Sequence, residues 1–394
     1  MKTGENYIEV GYFQQNKVGE IVCGDCFMSK KLKEDGRILC VLSDGLGSGI
    51  KANILSTMTA SMALNFSVMN EDIVPLATAI IKTLPKDTVK NISYSTFCIC
   101  DIDFFGNVRI VEYQTPSFCF YSNAALSSAR KEKILINRED MDNTYLLISE
   151  FTLQKGDRIV FFSDGVSQSG TGSKAMQLGW GNGVKEYISK MIVRTPAISA
   201  AELSHRVVAE AVKNDGFTAK DDTSCCAVYV RKPRNLLICT GPPYDMKNDT
   251  YLSKQLLEFH GTKIICGGTT AEIISRELNT PLEWDGDSAD KSLPPISKMK
   301  GVDLITEGIV TLSKIECILT ISGEERAKND GLAELVIKYL LNNDKITFVV
   351  GTIINTAHQD PNPPIELEIR KNVVRKIKYL LETKYLKDVE IKYI

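Results

Sequence analysis

The stretch RILCVLSDGLGSGIKAN (residues 37–53) decides the fold of the first half of the chain. Mostly apolar residues, typical of a buried strand, run directly into an SDG triplet that contains Asp44. Residues 158–170, RIVFFSDGVSQSG, repeat the arrangement with Asp164. A carboxylate at the end of a core strand is costly to desolvate unless positive charge lies beside it. Two such carboxylates, far apart in sequence, indicate one shared positive partner.

The composition is that of a water-soluble globular protein. The chain has 394 residues, of which 43% are hydrophobic and 24% are charged, and this length favours two domains. A net charge of −2 does not favour nucleic acid or an anionic membrane as a partner. No secretory signal or membrane-spanning run is evident, and the 11 cysteines lack a regular disulfide framework. We therefore expect a cytoplasmic protein.

A change of pattern at VRKPRN (residues 230–235) predicts two domains, residues 1–232 and 233–394. Strand patterns dominate the first, with hairpin turns at FFGN and QKGD and helices over residues 49–70 and 200–214. This predicts an α+β fold, an antiparallel sandwich with helices packed outside. The second alternates short apolar strands, mostly ending in glycine, with helices, which predicts a smaller α/β domain with a mainly parallel sheet.

The glycines after Asp44 suggest one alternative, a phosphate-binding loop between a strand and a helix. Their spacing is G-x-G-x-G instead of the dinucleotide pattern G-x-G-x-x-G, and no lysine–threonine pair of a P-loop follows. We therefore do not expect a nucleotide site in this half.

Several aspartates adjoin strand ends or tight turns in the first half: Asp25, Asp44, Asp164, Asp221 and Asp222. A sandwich can bring strand ends together at one edge, and oxygen ligands are what Mg²⁺ and Mn²⁺ prefer. For any one of them alone, ordinary Asp-Gly turn chemistry is the better explanation. As a set, they predict a site for divalent cations.

Four separated motifs carry a family resemblance: GDCFMSKKLKEDGRILCVLSDGLGSGIKAN, TPSFCFY, GDRIVFFSDGV and DDTSCCAVYV, in this order between residues 24 and 230. Together they resemble the metal-dependent Ser/Thr protein phosphatases of type 2C (PPM), most closely the branch similar to stage II sporulation protein E (SpoIIE). The resemblance implies a β-sandwich flanked by helices and a site for two Mn²⁺ or Mg²⁺ ions.

Carried over residue by residue, the resemblance implies that Asp44 bridges the two ions and that the carbonyl of Gly45 holds one of them. Asp164 and Asp221 would bind the second ion, and Asp25 would bind the first directly or through water. Asp222 lies where the family often has Asn or Asp, beside the ligands. The glycines of the SDG triplets are expected to let the backbone turn sharply toward the ions.

The implied reaction is hydrolysis of phosphoserine or phosphothreonine by a metal-bridged water. The resemblance makes an anti-anti-sigma-like regulator a reasonable phosphoprotein substrate. It also implies that the helix opening at Gly49 can govern assembly of the site, so basal activity could depend on a partner. Only Lys17 precedes Asp25 where many relatives have a phosphate-binding arginine. A catalytically inactive scaffold and a small-molecule phosphatase are the alternatives.

Two smaller features carry weaker predictions. Cys23 and Cys26 bracket Asp25, so either a redox role or two buried thiols is possible. In the second half, residues 263–278 (KIICGGTTAEIISREL) place a strand before Gly267, with Thr269 and Thr270 as candidate helix caps. This start could bind a small anion at Gly267–Thr270, or it could be a plain turn with a threonine cap. Loops at Gly241 and Asn355 also follow strands. We expect a ligand-sensing or partner-docking module.

Overall fold

The computed structural model of the chain describes residues 6–69, 73–84, 86–87, 92–93, 95–137, 144–174, 176–284, 297–321, 331–353 and 363–394. The chain divides into two compact units, Met1–Lys232 and Pro233–Ile394. None of the helices in those ranges is long and apolar enough to cross a membrane.

The first unit is built mainly from antiparallel strands and a few helices. Its strands are β1 (Tyr7–Gln15), β2 (Asp25–Leu32), β3 (Arg37–Gly45), β4 (Lys86–Asp87), β5 (Ile92–Ser93), β6 (Ser95–Asp103), β7 (Asn107–Tyr113), β8 (Cys119–Ser122), β9 (Ala125–Ser127), β10 (Glu132–Leu135), β11 (Tyr145–Thr152), β12 (Arg158–Phe162) and β13 (Thr223–Arg231). Its helices are α1 (Gly49–Val68), α2 (Ile73–Thr83), α3 (Asp164–Ser167), α4 (Gly183–Arg194) and α5 (Ala200–Asn214).

Two sheets form the centre of this unit. One has the strand order β1-β13-β12-β8-β9 and the other β10-β11-β7-β6-β3-β2, and all their pairings are antiparallel. Successive residues of a strand face opposite sides. On β3, Cys40 reaches Cys226 of the other sheet, whereas Val41 packs with buried residues of α1 and α2. The sandwich is therefore covered by helices outside, as predicted.

Of the two hairpins predicted from turn motifs, one forms and the other does not. The turn FFGN joins β6 to β7 in a hairpin, as predicted. The hairpin predicted at QKGD is wrong, because β11 and β12 belong to different sheets. All five residues of β12 are buried, and β12 pairs with β13 and β8 in the interior of the other sheet.

The second unit is an α/β layer structure with one parallel sheet. Its strands are β14 (Asn235–Thr240), β15 (Thr262–Cys266), β16 (Glu283–Trp284), β17 (Ser297–Lys298), β18 (Leu304–Thr306), β19 (Lys345–Val350) and β20 (Asp388–Tyr393). Its helices are α6 (Asp249–Glu258), α7 (Gly268–Leu278), α8 (Ile309–Thr320), α9 (Gly331–Asn342) and α10 (Pro363–Tyr385).

The parallel sheet has the order β18-β15-β14-β19-β20. The first strand, β14, is central; β15 and β18 are added on one side of it, and β19 and β20 on the other. Helices α6 and α7 share one hydrophobic core with the sheet, and α8, α9 and α10 share a second core on the opposite face. The predicted threonine cap of α7 is wrong, because the N-cap is Gly267 and both threonines lie inside the helix. The predicted loop at Asn355 lies outside the described residues.

Candidate active site

Asp25 and Asp44 face each other across the antiparallel pair β2–β3. Like charges directly opposite in such a pair repel one another. Asp25 is only 2% exposed, and neither oxygen of its carboxylate makes a well-formed hydrogen bond within the described parts of the chain. The hydroxyls of Ser163 and Ser224 lie near enough to oppose the rise of the Asp25 pKa, although neither makes a well-formed hydrogen bond to it. Asp25 is therefore a buried carboxylate that no cationic side chain is seen to neutralise among the described residues.

Asp164 is brought to the same place from the other sheet. It begins the short helix α3 directly after β12, and the junction is joined to the start of β13 by two hydrogen bonds. The Ser163 N–H donates to the Ser224 carbonyl at 3.0 Å, and the Ser224 N–H donates to Ser163 Oγ at 2.9 Å. The carboxyl of Asp164 lies within hydrogen-bonding reach of Asp44 and accepts from Gln168 Nε2 at 2.9 Å.

Asp221 and Asp222 complete the cluster at the start of β13. The N–H of Asp222 donates to Asp221 Oδ1 at 2.9 Å. The backbone N–H of Lys17 donates to Asp222 Oδ1 at 3.0 Å, whereas Asp222 Oδ2 is buried and makes no well-formed hydrogen bond to any residue that the structure describes. Burial, followed by the charge of Asp164, raises the pKa of Asp221, and the side-chain charge of Lys17 opposes this rise. Lys17 therefore interacts with the cluster through a hydrogen bond from its backbone N–H to Asp222 and through the effect of its side-chain charge on Asp221.

The gathered carboxylates are electrostatically strained. Burial, followed by the charges of Asp25 and Asp164, raises the pKa of Asp44 well above its ordinary value. Burial is also the main cause that raises the pKa of Asp25 to about 7, with Asp222 and Asp164 adding to it. Carboxylates held together in this way favour protonation or a bound cation over mutual ionisation. The structure therefore brings together the five aspartates that the sequence singled out.

The residues fit a divalent cation by their chemistry. Both oxygens of Asp25 and Oδ2 of Asp222 are buried acceptors that make no well-formed hydrogen bond within the described residues, and cations such as Mg²⁺ take oxygen ligands of this kind. Within the described ranges, no three His, Cys, Asp or Glu side chains form a ready-made metal-binding group. The fit therefore rests on unpartnered oxygens and accumulated charge.

The glycines of the two SDG triplets have a different reason from the one expected. Neither Gly45 nor Gly165 has a left-handed backbone, so no sharp glycine turn occurs at them. A Cβ on Gly45 would lie 2.1 Å from the carbonyl oxygen of Ala52 in α1, and one on Gly165 would lie 2.1 Å from the carbonyl oxygen of Asp222. Both glycines are required by close backbone packing around the carboxylates.

Sequence reasoning missed three contributors. Ser163 and Ser224 tie the two strand ends together, and the serine before Asp164 in the repeated triplet is a signal that could have found the first. Glu20 accepts from Ser48 Oγ at 3.0 Å, and its carboxylate lies against Gly49 at the start of α1. No pattern in the sequence points to Glu20, because it acts across 28 residues.

Cys23 and His205 play no evident chemical part. Burial, followed by the charges of Asp25 and Asp222, raises the pKa of the Cys23 thiol, and the thiolate is the reactive form. This disfavours the redox interpretation. His205 packs edge-on against Phe13 with ring centroids 4.6 Å apart and lies in α5.

A comparison with known protein sequences identifies a relative of part of this chain. The segment similar to phosphoserine phosphatase RsbX of Bacillus subtilis (strain 168) is 29% identical over 120 residues, which is 29% of this chain and 58% of RsbX. The chain thus spans less than two thirds of the length of this relative.

Two solved structures illustrate the likeness. The phosphatase domain of SpoIIE from Bacillus subtilis is 16% identical, with 58% of this chain and 94% of that chain covered and a TM-score of 0.43. A crystal structure of RsbX in complex with magnesium is 20% identical, with 58% and 96% covered and a TM-score of 0.40.

The family profile of stage II sporulation protein E (SpoIIE) matches residues 34–231, half of the chain. The match includes Asp44, Asp164, Asp221 and Asp222, four of the five aspartates gathered at the edge of the sandwich. The chain therefore belongs to the SpoIIE family of PP2C-type phosphatases.

Proposed function

We propose that this protein hydrolyses phosphoserine or phosphothreonine on a regulatory protein, with two Mn²⁺ or Mg²⁺ ions held by the aspartate cluster. The observation that carries the proposal is the buried, unpartnered carboxylate of Asp25 opposite Asp44. Such an arrangement is unfavourable in an apolar core and becomes favourable when cations neutralise it. Family membership and the phosphoserine activity named for RsbX support the same chemistry.

The residues that would hold the ions are Asp44, the Gly45 carbonyl, Asp164, Asp221 and Asp25, with Asp222 beside them. The ions would supply the Lewis acidity that activates water and neutralises charge on the phosphoryl oxygens. The protein's own part is to orient these groups: Gln168 fixes one oxygen of Asp164, and the Lys17 N–H fixes one oxygen of Asp222.

We propose residues 1–232 as the catalytic domain and residues 233–394 as a ligand-sensing or partner-docking module that regulates it. The proposed substrate is a phosphoprotein of the anti-anti-sigma type. The place of action is proposed to be the cytoplasm. A scaffold without activity is the competing function, and the retention of all five aspartates in one cluster weighs against it.

The test is hydrolysis of p-nitrophenyl phosphate by the full chain with Mn²⁺ or with EDTA. We expect activity that requires Mn²⁺, that falls by at least about 100-fold in Asp44→Asn, and that is kept in Asp35→Asn, an exposed control. Phosphoserine peptides compared with sugar phosphates then separate a protein phosphatase from a small-molecule phosphatase. Metal binding without turnover would indicate an enzyme that depends on a partner, whereas absence of both metal binding and turnover would overturn the proposal and favour the scaffold.

A further inference from the structure

The carboxyl-terminal edge of the second unit's sheet has the layout of a ligand site. In chain order the strands lie 3-2-1-4-5, so the winding direction reverses between β14 and β19. Ligands of open α/β sheets bind outside the carboxyl ends of the strands near such a reversal. The strand order does not identify a ligand. The helix ends and side chains at this edge indicate its chemistry.

Two helix starts converge at this edge. Gly267 is the N-cap of α7 and Gly308 is the N-cap of α8, and a Cβ on Gly308 would lie 3.5 Å from the Cα of Gly267. Neither start has a side-chain cap, and neither helix has an acidic residue in its first turn. Helix N-termini carry partial positive charge and N–H donors, so two together favour a multiply charged anion.

A buried hydroxyl at the same edge has no partner. Thr240, the last residue of β14, is fully buried, and its Oγ1 makes no hydrogen bond within the described parts of the chain. Because side chains alternate along a strand, Thr240 shares the face of Leu236 and Ile238, which α8 and α10 cover. A buried polar atom left in this way is costly, and a ligand group at the strand end would satisfy it.

The guanidinium of Arg370 lies beside Gly241, the residue that follows Thr240. Arg370 belongs to α10, which covers the same face of the sheet as Thr240. Nη1 of Arg370, from α10, is 2.5 Å from where a Cβ on Gly241 would be, and Gly241 has φ +80. Glycine at this position therefore lets the guanidinium reach the strand end. Arginine binds phosphate groups through paired N–H donors in a fixed plane.

We propose that this edge binds a small molecule that carries a diphosphate group, held by the starts of α7 and α8, Thr240 and Arg370. Two helix starts and a guanidinium together match a diphosphate better than a singly charged carboxylate. The site shares no residue with the aspartate cluster, and it would give the second unit a ligand to sense.

Gly268 offers a sharp test because a Cβ there would meet nothing within 4 Å and its backbone is not left-handed. Gly268→Asp places a negative charge at the start of α7, which favours the helix but repels an anion. Gly268→Asn has nearly the same shape without the charge. A loss of binding in the first variant alone therefore reports repulsion of the ligand and not misfolding.

The measurement is isothermal titration calorimetry of the full chain in EDTA with pyrophosphate, ADP and inorganic phosphate as separate probes. EDTA keeps divalent cations away from the aspartate cluster. The Asp44→Asn variant should bind the probes as tightly as the wild type, because Asp44 is not part of the proposed site. We expect pyrophosphate or ADP to bind, with affinity at least about tenfold weaker in Arg370→Gln than in wild type and at least about tenfold weaker in Gly268→Asp than in Gly268→Asn. Thr240→Val should fold normally and also bind more weakly.

The outcomes separate clearly. Tighter binding of ADP than of pyrophosphate would show that the nucleoside adds contacts, and equal binding would show that the diphosphate alone is recognised. Both support the proposal. No binding of either probe at millimolar concentration, or full binding in both Gly268→Asp and Arg370→Gln, would overturn it. Neither result bears on the phosphatase proposal, which depends on metal and on the first unit.

Discussion

We expect Asp25 to lower the stability of the metal-free protein, because its buried carboxylate makes no well-formed hydrogen bond among the described residues and faces Asp44. We expect Asp25→Asn to raise the free energy of unfolding in EDTA by about 1–2 kcal/mol, since the substitution removes a buried charge. The same variant should lose most of the stabilisation that Mn²⁺ gives the wild type. Urea unfolding followed by circular dichroism, with and without Mn²⁺, measures both effects.

Asp157 is the matched control for this experiment. It is equally buried, at 2% exposed, but its Oδ2 accepts from the Gln154 N–H at 2.8 Å. Asp157→Asn should therefore lower the free energy of unfolding by about 1 kcal/mol, with or without metal. If Asp25→Asn behaved like Asp157→Asn, the carboxylate of Asp25 would be structural and its proposed role as a ligand would be wrong.

Gly45 tests how closely α1 must approach the cluster. In Gly45→Ala the new methyl would collide with the Ala52 carbonyl at 2.1 Å, so we expect a loss of about 2–3 kcal/mol in the free energy of unfolding. Gly268→Ala, also at a strand-to-helix junction but in open space, should change it by less than about 1 kcal/mol. Equal stability of the two variants would show that α1 can shift freely.

At this scale, sequence reasoning identifies the carboxylates but not their surroundings. Asp44 and Asp164 are visible because the SDG triplet repeats after two apolar runs. The N–H of Lys17 and the hydroxyls of Ser163 and Ser224 are not, because their contacts with the cluster cross between strands that no local pattern pairs. The predicted role of Gly45, a sharp turn, was wrong because the residue is required by a contact with the backbone of α1. No local sequence pattern reveals that contact.

Helix α1 depends at its start on a residue from another part of the chain. Its N-cap Ser48 makes no side-chain cap, the first turn has no acidic residue, and the Glu20 carboxylate lies against Gly49 instead. We expect Glu20→Gln to lower the free energy of unfolding by about 0.5–1 kcal/mol at low salt, because the favourable charge at the helix start is lost. Urea unfolding at low and high salt measures the loss.

Salt separates this effect from simple loss of packing. Screening should reduce the difference between wild type and Glu20→Gln at high ionic strength. Glu34→Gln, at an exposed position away from the start of α1, should leave stability unchanged at both ionic strengths. A loss in Glu20→Gln that stays the same at high salt would contradict an electrostatic role for Glu20.

Among the elements, the long helices of the first unit and the strands joined by a local turn were predictable. Helix α5 spans the predicted residues, α1 ends two residues earlier than predicted, and the hairpin of β6 and β7 forms at its glycine turn. The partners of β12 were not predictable, because a turn motif reports a change of direction and not the sheet that receives the next strand.

At the scale of the molecule, the two units have separate hydrophobic cores, so a ligand should protect the elements around its own site. We expect Mn²⁺ to slow amide hydrogen exchange most at β2, β3, the start of α1 and the junction of β12 with β13. At a metal concentration 100 times Kd, amides that exchange only when this site is lost should slow by up to about 100-fold. Hydrogen exchange with mass spectrometry measures this for both units at once.

Asp44→Asn supplies the control, since it should abolish the Mn²⁺-dependent protection while leaving the exchange of β14, β15 and β19 as in wild type. The physical reason is that protection by a ligand requires binding to the folded site, and this variant lacks the carboxylate at the centre of the cluster. Protection that persisted in Asp44→Asn, or that lay mainly in residues 233–394, would place the cation elsewhere. Protection confined to the strand ends that carry the aspartates would locate it where the unpartnered oxygens lie.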